Sequence, residues 1–320
     1  MTDSNAATVT PSRKSSEKHR VSPLYRGVFA VLAPCVVIAT YGLPLWAVTW
    51  THAVLPPPLA WVWIVLAPLI YAVLFVLVAG LLSLPFQRFI VAGRFPRDTA
   101  HPVYCGRRLY GLCWTTVYYC KPVYAICLSL PWLKALAFRL FGYRGSLDFT
   151  IYPDSWIRDL PLLDLGAGTY VANRATLGTN ISMLNGEILV RPIRIGKNSM
   201  IGHLTMVACG TTIGNDVMID CGVAVGISVE IESEAVVLAA SSVCHYAHLE
   251  RGATAGYQSY VGQGSRLGPG VKLPALRATP ARSRAPTQSA MERLLASEGH
   301  VTCIPKPVDP PAQKGAHADA

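Results

Sequence analysis

Three of the chain's eight histidines, His203, His245 and His248, lie in the stretches IGHLTMV and SSVCHYAHLE of one long repeating segment. An imidazole titrates near neutrality, so it can take the proton of a hydroxyl or amine as that group attacks an activated carbonyl. His203 directly follows Ile201-Gly202, a turn from which a side chain can point out of the repeat, and it is the first candidate for a general base. His245 and His248 sit close together and read as structural residues. If the segment repeats every eighteen residues, His203 stacks near Asn185 on one side and near Cys221, Ala239 and Tyr257 on the other. Asn185 can orient an imidazole or polarise a carbonyl, so Asn185 and Tyr257 are the candidate substrate-binding residues. No metal site is expected.

The element that must position these groups is written in a period of six. From Leu165 to Leu273 every sixth residue is apolar: nineteen positions, with only Ala255 small. Neither a helix nor a flat strand selects every sixth residue. The residue after each rung is often Gly or acidic (Gly196, Gly202, Gly214, Asp220), as expected where the chain turns with φ > 0. The residue four after each rung is small or β-branched (Ser199, Thr205, Val217, Ala235), which suits a crowded inner position. This is a hexapeptide-repeat β-helix.

In IGKNSMIGHLTMVACGTTIGNDVMI and YVGQGSRLGPGVKL the segment resembles the left-handed parallel β-helix of the hexapeptide acyltransferase superfamily. The resemblance implies three short strands per coil, a left-handed triangular prism, a homotrimer, and an outward histidine facing a neighbouring subunit, the place His203 takes. About six coils at the spacing of paired strands are expected. The gamma-class carbonic anhydrases share this fold, but their GHxxxxHGC-like stretch reads GHLTMVACG here, with Ala208 and Cys209 where the second histidine belongs, so their three-histidine zinc site is not expected.

The chain is 52% hydrophobic and 14% charged, with a mean hydropathy of +0.36, above ordinary globular composition. From Val28 to Leu55 and from Leu59 to Leu84 there is no Lys, Arg, Asp or Glu, and each run exceeds the roughly 20 residues that span a bilayer core. A transmembrane hairpin over 26–100 follows, in which Pro34, Pro44 and Pro68 are tolerated. Trp46, Trp50, Trp61 and Trp63 crowd the linker 51–58 as an aromatic belt. Arg13, Lys14, Lys18, Arg20 and Arg26 precede the first span, Arg88, Arg94, Arg97, Arg107 and Arg108 follow the second, and the linker has neither Lys nor Arg. This asymmetry places both termini in the cytoplasm, in a bacterial inner membrane, with the net charge of +10 attracted to anionic lipids. Nothing reads as nucleic-acid recognition.

Residues 1–25 read as a disordered basic tail. Residues 101–150, aromatic and weakly basic, read as helices at the membrane interface, leading into the β-helix at 151–275. Cys113, Cys120 and Cys127 recur every seven residues and would share one side of a helix, as a small apolar stripe or as palmitoylation sites. A Pro/Arg-rich tail, 276–320, holds one short helix at 289–298, with Ser289 and Glu292 as a capping box and Gly299 as its stop; 304–320 reads as disordered.

The hairpin joined through FGYRGSLDFTIYPDSWIRDLP to the repeat is loosely similar to the membrane-bound C-terminal region of nonribosomal peptide synthetases that polymerise single amino acids. The two resemblances imply a membrane-anchored acyltransferase. Its donor would be a thioester, acyl-CoA or an acyl carrier protein, with no bound cofactor, and its acceptor a hydroxyl or amine. The alternative is a non-catalytic scaffold or partner subunit of a peptide or polymer synthetase.

Overall fold

The computed structural model describes residues 22–297. The tail before Ser22, the stop at Gly299 and the tail 304–320 lie outside the described residues. Helix α1 (Pro23–Val54) opens on Pro23, with the Ser22 hydroxyl accepting from the Leu24 amide, so the start of the apolar hairpin lies inside the stretch expected to be a tail. Leu55 and Pro56 alone separate it from α2 (Pro57–Gln87). At 32 and 31 residues these helices are about 48 and 46 Å long, more than the ~30 Å of a bilayer core. Both are apolar enough to cross a membrane. Pro34, Pro44, Pro68 and Pro85 lie inside them without breaking them. Leu43, Trp46, Trp61 and Val65 stand exposed, a surface suited to lipid.

Three shorter helices form a platform: α3 (Pro102–Tyr119), α4 (Lys121–Ser129) and α5 (Pro131–Leu140), with α4 and α5 meeting at 114°. Each has Pro in its first turn, where the missing amide hydrogen costs nothing. Trp114 meets Tyr124, Phe138 and Phe141 edge to face and donates its indole hydrogen to the Ile157 carbonyl, so the platform closes the lower end of the repeat domain. Cys113 lies in α3, Cys127 in α4 and Cys120 at the break between them, so the three share no single helix face. Cys113 and Cys127 are buried against neighbouring helices and closed to an acyl modification. Arg107, counted above among the topology-setting cations, is also buried, paired with Asp159.

Above the platform, three parallel sheets of seven, six and seven strands wind into a β-solenoid of about eight turns, longer than the six coils expected. Sheet 1 begins at Phe149–Ile151 and sheet 3 ends at Arg284–Ala285, so coils exist on both sides of the readable ladder. The rungs stack as anticipated: Ile201, Ile219, Val237, Ala255 and Leu273 are successive register partners, all buried. The small residues four after each rung are buried as well. Helix α6 (Gln288–Ser297) covers the far end with Met291; its cap is Thr287, whose hydroxyl accepts from Ala290, rather than Ser289.

Two features of the ladder differ from the expectation. The left-handed backbone falls three residues after the rung, at all fifteen sixth positions from Asn198 to Arg282, and none of these carries a β-branched side chain. The glycine after the rung answers to space instead. A Cβ on Gly202 would sit 2.5 Å from the backbone carbon of Asp220 on the next coil. The second difference is an insertion. Leu165 pairs with Ile195, Val171 with Ile201 and Leu177 with Val207, partners thirty residues apart, twelve more than one coil. The extra residues form an antiparallel arm, Asn180–Ser182 against Glu187–Val190, and the latter strand also pairs with Gly93–Pro96 between α2 and α3. Met183 and Leu189 therefore are not rungs.

Candidate functional site

His203 stands on the corner between sheets 1 and 2. Gly202 before it lets the chain pass hard against the coil above, and Leu204 after it takes the left-handed conformation. Its carbonyl accepts from the Gly222 amide, while the imidazole is exposed and has no hydrogen-bond or ion-pair partner among the described residues. A ring so placed keeps a free nitrogen for an acceptor's proton. Thr205 ties the corner to Asp220, and the Asp220 carboxylate accepts from the Cys221 amide.

The arm changes the company His203 keeps. Leu204 donates to the carbonyl of Asn173, so Asn173 occupies the coil beneath His203, where Asn185 was expected. Asn185 turns the arm, its amide donating to the Glu187 carboxylate and its own oxygen accepting from the Glu187 backbone; the stacking that made it a substrate-binding candidate does not exist. Asn173 has a buried side-chain oxygen with no hydrogen-bond partner. On the upper side the expected order holds: Cys221, Ala239 and Tyr257 follow in successive coils. Cys221 and Tyr257 are exposed. Tyr257 lies three coils, about 14 Å, from His203, so only an extended ligand touches both.

A groove of about 420 Å³ crosses the outer face of sheet 2 towards the corner with sheet 3, with Met206, Ala224 and Ser242 along its floor and Asn180, His245 and Tyr260 at its margins; neither His203 nor Cys221 lines it. The walls are almost wholly apolar. His245 accepts the Ile227 amide hydrogen on Nδ1 at 2.9 Å, which leaves the ring's proton on Nε2. Nε2 is thus the nitrogen left to donate at the groove's margin, whereas the sequence had His245 only as a structural residue.

His248 is placed differently again. On the outer face of sheet 3 its Nε2 meets Glu232 at 2.8 Å and its Nδ1 lies 3.7 Å from Glu230, so neither nitrogen is free. The hydrogen bond from His248, with help from the Arg251 amide, holds the Glu232 carboxyl below the usual carboxylate range. At the foot of the solenoid Asp159 accepts from Arg107 and Thr179, while Arg107 also reaches Asn180 at the root of the arm. Burial pulls the Arg107 guanidinium down, and Asp159 opposes it.

No family model matches the chain, and no curated protein does. Solved structures are similar at low identity. Perosamine N-acetyltransferase from Caulobacter crescentus, in complex with CoA and GDP-perosamine, is 18% identical, with 47% of this chain and 61% of that one covered at a TM-score of 0.27. LpxA from Acinetobacter baumannii is 11% identical over 43% and 64%, TM-score 0.22. The acetyltransferase domain of PglB from Neisseria gonorrhoeae, in complex with acetyl coenzyme A, is 17% identical over 49% and 64%, TM-score 0.17. The chain thus spans about three fifths of the length of the first of these. On the register of its own strands, the chain carries a hexapeptide-repeat parallel β-solenoid behind two long apolar helices.

Proposed function

We propose that the chain is a membrane-anchored acyltransferase in which His203 is the general base. The supporting observation is the free imidazole on the exposed corner between sheets 1 and 2, at one edge of the sheet 2 face whose other edge carries the apolar groove. In the proposed step a hydroxyl or amine gives its proton to His203 as its oxygen or nitrogen bonds to the thioester carbonyl carbon. The resulting oxyanion needs a donor. When it collapses, the carbon–sulfur bond breaks, and the thiolate leaves to be protonated by the imidazolium. Asn173, directly beneath, steadies the ring or the acceptor in the place Asn185 was expected to hold, and Tyr257 contacts the far part of an extended donor. The donor is acyl-CoA or an acyl carrier protein carrying an acyl or aminoacyl group. The prisms associate as homotrimers, with both termini on the cytoplasmic side of a bacterial inner membrane.

The apolar floor of the sheet 2 groove, with the exposed Met206 and Tyr260 lining it, favours a second reading, a scaffold or partner subunit that docks a synthetase at the membrane. Mass spectrometry of lipids and metabolites from a deletion strain separates the two. Loss of one acylated product, restored by the wild-type gene but not by a His203→Ala copy, supports catalysis. Restoration by both copies supports the scaffold.

A further inference from the structure

A second cavity, about 230 Å³, lies where the platform meets the lower end of sheet 3, between Arg144, Gly145, Pro161, Leu162, Asp164 and Arg194. Its charged groups are brought together by two unrelated parts of the chain. Arg144 follows α5, while Asp164 and Arg194 are register partners on adjacent strands, both pointing out of the prism. Two guanidiniums and one carboxylate thus line one cavity. None of the three forms an ion pair with either of the others or with any other described residue. Such a set presents planar donors for a phosphate and, beside them, an acceptor for a cationic or hydroxyl group.

The cavity's depth follows from its wall. The side chain of Gln87, the last residue of α2, donates to the Leu140 carbonyl. A Cβ on Gly142 would lie 2.7 Å from the Gln87 side-chain oxygen and 3.0 Å from Pro161, so the end of the second span and the cavity wall meet at one point of backbone. Exposed Leu81 and Leu84 carry the apolar surface of α2 nearly to that point, and exposed Arg88 lies just beyond it. A charged cavity at the level where a span's apolar surface ends is at headgroup depth.

We propose that this cavity binds the headgroup of a membrane phospholipid that carries a phosphodiester and a primary ammonium, with Arg144 and Arg194 on the phosphate and Asp164 on the ammonium. The site rests on the two spans and is independent of the acyl-transfer reading. The test is native mass spectrometry of the full chain, delipidated in mild detergent and titrated with phosphatidylethanolamine, phosphatidylglycerol or phosphatidylcholine. Wild type retains phosphatidylethanolamine best. Arg144→Ala/Arg194→Ala loses about tenfold or more of that affinity, the scale of a lost charge-assisted contact. Arg144→Lys/Arg194→Lys, which keeps the charge without the planar fork, retains more of it than the double alanine variant and shows that the fold survives changes at these positions. Asp164→Asn weakens phosphatidylethanolamine but not phosphatidylglycerol. Equal retention by wild type and the double alanine variant overturns the site. Unchanged lipid preference in Asp164→Asn overturns the ammonium assignment. Displacement of the lipid by an equal concentration of soluble glycerophosphoethanolamine overturns the lipid assignment and moves the ligand to the aqueous phase.

Discussion

Arg107 of α3 and Asp159 at the foot of the solenoid form an ion pair from which water is excluded, their side chains 1% and 0% exposed. The pair couples the platform to the first coils, and through Asn180 it also fixes the root of the arm. Removing one partner strands a buried charge, which costs about 3–5 kcal/mol, whereas replacing both by apolar residues is far milder. Thermal melting in detergent should therefore show a large loss for Asp159→Ala and substantial recovery in Arg107→Met/Asp159→Leu. Equal losses would show that packing, not charge, governs this junction.

Ile213 and Ile231 touch as register partners on successive coils of sheet 3, and both are buried. Ile213→Asp places an unpaired carboxylate in that stack and should cost several kcal/mol. Expression and melting measured beside the wild type check it; an unchanged melting temperature contradicts the stacking.

The Glu232–His248 contact gives a pH signature. Because Glu232 is held below its ordinary value of 4.5, its contribution to stability is present above that value and disappears as pH falls through the lower value of the folded state. The difference in melting temperature between wild type and Glu232→Gln should be largest above pH 4.5 and shrink below it. A difference that grows as pH falls below 4.5 contradicts the sign.

The ladder was legible because every rung must fill the same apolar core, whatever else its hexad does. The arm was not. Its twelve residues equal two hexads, and Met183 and Leu189 happen to be apolar, so the phase ran on undisturbed while Asn173 replaced Asn185 beneath His203. The left-handed positions were hidden for another reason: Leu204, Glu234, Tyr246 and Arg282 accept this conformation because hydrogen bonds between coils hold it, and no glycine marks them. The pairing of His248 with Glu232 spans sixteen residues, and only the coil length reveals it.

Cys221 lies one coil, about 5 Å, above His203 and is exposed, whereas burial pushes the Cys113 thiol up to about 12. A maleimide should modify Cys221 and leave Cys113 untouched. With His203 as the catalytic corner, that adduct blocks turnover and Cys221→Ala both retains activity and resists the reagent. Full turnover by the modified protein contradicts the site.

The most direct measurement is transfer from a labelled thioester by membranes carrying wild type, His203→Ala or His248→Ala. His203→Ala should lower turnover by about 10² to 10⁴ while melting like the wild type, because its imidazole is exposed and unpartnered. His248→Ala, which loses only its contacts with Glu230 and Glu232, should keep most of its activity. A His203→Ala protein that turns over at the wild-type rate contradicts the account.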